Sequence, residues 1–214
     1  MNVDLSSIGM EKGQHYETII TTINNENKNT AAPIGMIVKE KNIVFSRIFE
    51  TATTLDNIKL KKEFIVNISS NPLYLTLSTI GDLPEEYFEN IEGSDLSYLK
   101  GCDCYLKCEV IEIKKIIKTN DPVQQSEAGL VTAKVKEIVK NRECVRLLNR
   151  AIYSLLESLV NYTRIDMVDK EQQDYFLNRL KEGERIINKV GSESQKESIT
   201  ILKETLKNKG FKID

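Results

Sequence analysis

Tryptophan is absent from this 214-residue chain, histidine occurs once, and cysteine and proline occur four times each. Each shortage narrows the classes of function. A single imidazole, His15, disfavours a histidine-based metal site and leaves few options for imidazole catalysis. Cys102, Cys104, Cys108 and Cys144 are too few and too clustered for a secreted disulfide framework, which points to a reducing compartment. No run of about 18 apolar residues is present to span a bilayer. The opening MNVDLSSIGM lacks the basic and apolar regions of a secretory leader, so the expectation is a cytoplasmic protein without a membrane role. Neither sign of charge dominates: 30 basic and 32 acidic residues leave a net charge of −2. Such a balance gives no global field that favours nucleic acid or an anionic membrane surface. Recognition must come from local sites.

What is present is an ordinary globular composition, 40% hydrophobic and 29% charged, enough to bury a core in one domain or in one domain plus an appendage. From His15 to about Phe49 the segments YETIITTI, TAAPIGMIV and NIVFSRIF are rich in Ile, Val, Thr and aromatics. The connectors NNENKN and KEKN are turn chemistry, which makes this stretch a three-strand meander. ETATTLDNIKLKK reads as a short helix capped by Thr53 or Thr54, with Leu55 and Ile58 inward and Asp56 in the first turn. EFIVNIS is a strand, NPLYLTLSTIG a short helix opened by Pro72, and residues 81–101 a mixed connector. CDCYLKCEVIEIKKIIK and GLVTAKVKEIVK are two long strands joined through TNDPVQQSEA, a hairpin that closes a small barrel.

After about Arg142 the period becomes helical. Val145, Leu148, Ile152, Leu155 and Leu159 form a stripe that Leu147, Ala151, Leu156 and Val160 widen, so two sides of that helix should be covered. Asp169 with Gln172, and Ser192 with Gln195, mark two further helix starts, with Gly191 the stop between them. The fold class expected is mainly β plus α: a barrel domain over residues 1–140 and a three-helix segment over residues 141–214.

Among chemical constellations, C-x-C-x3-C at Cys102, Cys104 and Cys108 lacks a histidine or a second cluster. Shared parity on one strand face reads better as buried small hydrophobes than as a metal site. His15 has no nucleophile motif around it, and Lys59, Lys61 and Lys62 read as a solvated helix face. Arg47 with Thr51, Thr53 and Thr54 is sharper. A permanent cation, several hydroxyls and a helix N-terminus fall within a few residues, a chemistry suited to phosphate, although capping and a surface ion pair would also account for these residues. Pro33 belongs at a strand edge or bulge, where a missing N–H breaks no ladder, and Gly35 permits another group to approach the backbone.

The stretches YETIITTINNENKNTAAPIGMIV, SRIFETATTLDNI and FIVNIS closely resemble an archaeal family catalogued as domain of unknown function 447, and NRAIYSLLESLVNYTRID resembles its C-terminal part. Members have the FMN-binding split β-barrel fold, related to flavin reductases and pyridoxamine-phosphate oxidases, and typically form homodimers. The resemblance implies an FMN cofactor, with Thr21, Thr22, Ala31, Ala32, Pro33, Ile34 and Gly35 beside the flavin. It also implies Arg47, Thr51, Thr53 and Thr54 near the phosphate, and Asn67 close to the same pocket. Asn149, Arg150 and Arg164 fall in the helical motif, where packing is their first reading. Relatives carry an Asp-Gly type turn where this chain has NNENKN, and Asn can adopt the same left-handed backbone. The implied activity is that of a flavin-dependent oxidoreductase, working as a homodimer with FMN near the subunit interface and a small-molecule electron donor or acceptor. The alternatives are a flavin carrier or sensor without turnover, and an interaction module that has lost its ligand. No Rossmann glycine fingerprint is present.

Overall fold

The computed structural model describes residues 3–118 and 126–213. They divide into two units, Met1–Leu148 and Asn149–Asp214. The first unit contains β1 (His15–Ile23), β2 (Asn29–Glu40), β3 (Ile43–Phe49), α1 (Thr53–Lys61), β4 (Glu63–Ile68) and α2 (Pro72–Ile80). It continues through β5 (Phe88–Asn90), β6 (Ser97–Leu99), β7 (Cys104–Lys118) and β8 (Ser126–Lys140). Six of these strands close an antiparallel barrel in the order β1-β2-β3-β8-β7-β4, while β5 and β6 pair separately. The β7–β8 hairpin is present as its sequence implies; most of its connecting segment, residues 119–125, lies outside the described residues.

Strand alternation builds the core. On β3, Val44, Ser46 and Ile48 are buried, so Phe45, Arg47 and Phe49 take the outer face. Ile20, Met36, Phe64, Val66, Leu106, Val131 and Val135 fill the interior with them, and Leu55 and Ile58 of α1 join the same cluster. Each large apolar side chain so buried stabilises the fold by about 1.5–3 kcal/mol relative to exposure. A second cluster, with Ile19, Ile65, Tyr74, Phe88 and Leu99, lies under α2 and the β5–β6 pair. At the β1–β2 turn, Asn27 takes a left-handed φ of 60°. The Asn24 side-chain oxygen accepts from the N–H groups of Glu26 and Lys28, each at 2.9 Å. This turn chemistry supplies what glycine would supply elsewhere.

Four sequence expectations are corrected. Residues 81–101 are more than a connector, because they carry β5 and β6. The three cysteines do not share a face: Cys102 precedes β7 and belongs to the second cluster, whereas Cys104 and Cys108 face the barrel core. Burial pushes the Cys102 and Cys104 thiols up to about 12 and the Cys108 thiol up as well, so they are held protonated. Helix does not start near Arg142. Val145 and Leu147 instead pack against the barrel cluster, and the Glu17 N–H donates to the Leu148 carbonyl at 2.8 Å. Asp103 secures that stretch, its buried carboxylate accepting from Arg146 Nε and a terminal guanidinium nitrogen, both at 2.9 Å. By contact, the first unit extends through Leu148.

The second unit is three helices, α3 (Arg150–Arg164), α4 (Lys170–Val190) and α5 (Glu193–Asn208). Ala151, Leu155, Leu180, Ile187, Val190, Ile199, Leu202 and Leu206 are in its core. A Cβ on Gly183 would lie 3.0 Å from Ser158 Oγ, so glycine there allows α4 to approach α3. The fourth correction concerns α3, which is covered on one side only: Ile152, Leu156, Leu159 and Val160 are exposed. Among the described residues no helix is long and apolar enough to cross a membrane.

Candidate functional site at the open edge of β2

β3 pairs with β2 only over Ile37↔Phe45, Val38↔Val44 and Glu40↔Ile43, then runs on along β8 as far as Phe49↔Ala128. The Asn29–Met36 half of β2 therefore has β1 on one side and no ladder on the other. Orientation follows from the alternation of an antiparallel pair. Because the Glu17 N–H points away from β2 to Leu148, Thr18 and Ile20 point toward β2 and exchange bonds with Ile34 and Ala32. Pro33 stands opposite Ile19 in a non-bonded pair, its ring nitrogen turned to the open side. The proline thus costs no ladder bond, as its edge reading requires.

Ala31 and Gly35 share that orientation, so their backbone N–H and C=O groups and the Pro33 carbonyl face the side that β3 has left. The Gly35 carbonyl accepts from Ser46 Oγ at 3.0 Å. Close approach at Gly35 comes from the chain itself: a Cβ there would lie 2.1 Å from His15 Nε2. The imidazole occupies the space that the missing side chain leaves.

α1 reaches β2 through Asn57, which bonds Thr30. Its N-cap is Ala52, with no side-chain hydrogen bond, so neither Thr53 nor Thr54 caps it and that sequence expectation is corrected. The first N–H groups of a helix have no acceptor in a preceding turn; here the Leu55 N–H donates to the Ala52 carbonyl at 2.9 Å, and no side chain caps the start. Thr51 and Thr53 are exposed beside this start, while Thr54 is buried. Arg47 lies on the outer face of β3, its guanidinium 5.6 Å from the centroid of the Phe49 ring. Lys59 is tied to Glu50 at 2.5 Å, more than a merely solvated lysine.

Two polar networks fix these parts; the first centres on Asn57, which sequence reasoning missed, the second on Asn67 and Thr21, which it named. Asn57, buried in α1, donates to Thr22 Oγ1 at 3.0 Å and to Thr30 Oγ1 at 3.1 Å. Those two hydroxyls are 2.7 Å apart. The helix start is thereby held to the β1–β2 hairpin. A polar residue between the inward-facing Leu55 and Ile58 is the signal that could have found Asn57. Asn67, fully buried, donates to the Ile19 carbonyl at 3.0 Å and to Thr21 Oγ1 at 3.1 Å, and accepts from the Leu99 N–H at 2.8 Å. Thr21 Oγ1 donates to the Ser97 carbonyl at 2.6 Å. Thr21, Thr22 and Asn67 therefore hold elements together from within. Ala31, Ala32, Pro33, Ile34 and Gly35 belong to the strand with the open edge, Thr51 and Thr53 are exposed at the helix start, and Arg47 lies on the preceding strand against Phe49.

A separate groove of about 770 Å³, lined by Glu63, Lys107, Glu109, Lys136 and Glu137 among others, mixes both signs of charge. Glu109 and Lys136 pair across it at 2.7 Å.

Residues 16–138 match the family described as Protein of unknown function (DUF447) N-terminal domain, and residues 149–204 match Protein of unknown function (DUF447). The protein MJ1453 of Methanocaldococcus jannaschii is 25% identical over 191 residues, covering 87% of this chain and 95% of that protein. Among solved structures, the FMN-bound protein MM1853 from Methanosarcina mazei shares the fold with a TM-score of 0.55 and 24% identity. The likeness covers 94% of this chain and 99% of that one.

Proposed function

The chain belongs to the DUF447 family, and from that premise we propose that it binds FMN at the α1 end of the barrel and works as a flavin-dependent oxidoreductase. The observation that carries this reading is the start of α1, without a capping side chain at Ala52, with Thr51 and Thr53 exposed there and Arg47 on the outer face of the strand that leads into it. Oriented N–H groups, hydroxyls and a guanidinium are the donor set a phosphate monoester requires. MM1853, of the same fold, is described as FMN-bound, and this chain's residues fit that group. Arg47, Thr51, Thr53 and the first-turn amides would hold the phosphate. The open backbone edge from Ala31 to Gly35 would meet the hydrogen-bonding rim of the ring, with Pro33 keeping that edge free of a ladder.

Bound FMN supplies hydride or electron transfer itself. The protein's part is to bind, orient and exclude water. The barrel interior is filled by side chains, so a ring must lie outside it, as in small barrels generally. An exposed Phe49, with Phe45 and Leu130 on the same outer wall, gives a second copy of the chain an apolar surface with which to cover that ring. The assembly proposed is a homodimer.

Titration of the purified protein with FMN and with riboflavin, followed by flavin fluorescence, tests the phosphate assignment. Arg47→Ala is expected to weaken FMN by roughly 10- to 100-fold, the range of a lost charge-assisted bond, and to leave riboflavin nearly unchanged. Equal weakening of both, or no flavin binding by the parent chain, overturns it. Anaerobic mixing with NADH and NADPH then tests turnover through loss of the visible flavin absorbance. A flavin that neither donor bleaches supports a carrier in place of an enzyme.

A further inference from the structure

α3 is apolar on two faces. Ala151 and Leu155 enter the core of the helical unit, yet Ile152, Tyr153, Leu156, Leu159 and Val160 are 37%, 54%, 51%, 40% and 41% exposed. At 3.6 residues per turn these five fall, with Thr163, on one continuous stripe along the helix. Single exposed apolar residues are ordinary. Five on a stripe form a patch of roughly 400 Å², the size that marks interaction surfaces on a monomer. Beyond the helix end stands Met167, 81% exposed.

We propose that this stripe is a self-association surface, on which α3 of a second copy packs antiparallel about a two-fold axis close to Val160. Charge decides both the partner and the register. Between Arg150 and Arg164 the helix has one charged residue, Glu157, and all three lie along the same flank of the stripe. In an antiparallel two-fold pair, positions equally far before and after the axis face each other. An axis at Glu157 would set Glu157 against itself and Arg150 against Arg164, like charge on like. With the axis moved about one turn, to between Val160 and Asn161, Glu157 faces Arg164 of the second copy, twice by symmetry. Tyr153 then comes beside Met167 and Val168 of the second copy, and Leu156, Leu159 and Val160 fill the centre. Glu157 is 3.5 Å from Arg179 within its own chain, which leaves carboxylate lone pairs for a second cation. Two such stripes face to face approach the roughly 1,000 Å² of a specific contact. This surface belongs to the helical unit and does not rest on the flavin reading.

Cross-linking of the full chain tests it. Val160→Cys is placed in a Cys144→Ser background, since Cys144 is the exposed cysteine and the other three are buried, and treated with a short bis-maleimide at micromolar protein. The control is Ile201→Cys in the same background, a position 56% exposed on α5. Dimer is expected to form at least about tenfold faster from Val160→Cys, because paired helices raise the local thiol concentration far above the bulk value. Adding Leu156→Glu should abolish that advantage. Arg164→Glu should slow the reaction, and Glu157→Arg combined with Arg164→Glu should restore it. Equal rates from the two cysteine positions overturn the contact, and failure of the charge exchange to restore the rate overturns the register. Circular dichroism on each variant checks that the helices persist, and FMN titration of the same variants is expected to be unchanged.

Discussion

The helices of the second unit and the first helix of the barrel unit begin in opposite ways. Asn149, Asp169 and Ser192 each accept a first-turn N–H at the starts of α3, α4 and α5, the last in a full capping box with Gln195. In the barrel unit Asn71 does the same for α2. α1 starts at Ala52 with no such acceptor. A missing cap costs about 1 kcal/mol, and the chain bears that cost at a start where Thr51 and Thr53 are exposed. Helices that only need to be stable are closed at their starts. The one at the candidate site is left open, and its stability comes from Leu55 and Ile58 in the core and from Asn57 on the hairpin.

Variants can break or sharpen this contrast. The largest effects should come from the cores: Phe64→Ala in the barrel is expected to lose about 3–5 kcal/mol, and Ile187→Ala in the helical unit about 2–5 kcal/mol, measured by urea unfolding. A barrel that tolerates Phe64→Ala would not be held by its interior, and the account of α1 would fail with it. Next in size is Asp103. Hydrogen bonds from Arg146 hold its carboxyl below the usual carboxylate range, although burial opposes them. A carboxyl lowered on folding adds stability above its unfolded value of about 3.9, and that stability is lost as pH falls through the lower folded value. Asp103→Asn should cost about 1.5–3 kcal/mol near neutrality and flatten the fall in melting temperature below about pH 4.

Smaller, and most direct, is an exchange of caps. Ser192→Ala should destabilise the helical unit by about 1 kcal/mol, whereas Ala52→Asp should stabilise the barrel unit by a similar amount. The second substitution should also weaken FMN, since the new carboxylate takes the amides and repels the phosphate. A gain in stability with FMN affinity intact would separate the α1 start from the phosphate. Smallest of all, Thr53→Ala should change melting by less than about 0.5 kcal/mol, as expected of an exposed residue that caps nothing.

The meander, the long hairpin and the starts of α4 and α5 were legible because each rests on a local signal: alternation, turn residues, or a capping pair three positions apart. β5 and β6 were not, since strands of three residues carry no period. Their place is set by bonds to Asn67 and Thr21 from distant strands. Val145, Leu147 and Leu148 fit a helical spacing and still lie outside any helix, where the Arg146 N–H donates to Asp103 and the Leu148 carbonyl accepts from Glu17. At the candidate site the edge position of Pro33 was readable from proline chemistry. The occupant of the space over Gly35 was not, because His15 is twenty positions away and reaches it only through strand pairing.

Pro33 has one more consequence. A strand with a bare edge is a template for any other extended chain, and such templates seed aggregates. An incoming strand needs evenly repeated donors along the edge, and the proline removes one from the middle of the run. A small planar molecule needs only two or three backbone groups and is not hindered. The same residue that keeps the edge open to a ligand thereby makes it a poor site for strand addition.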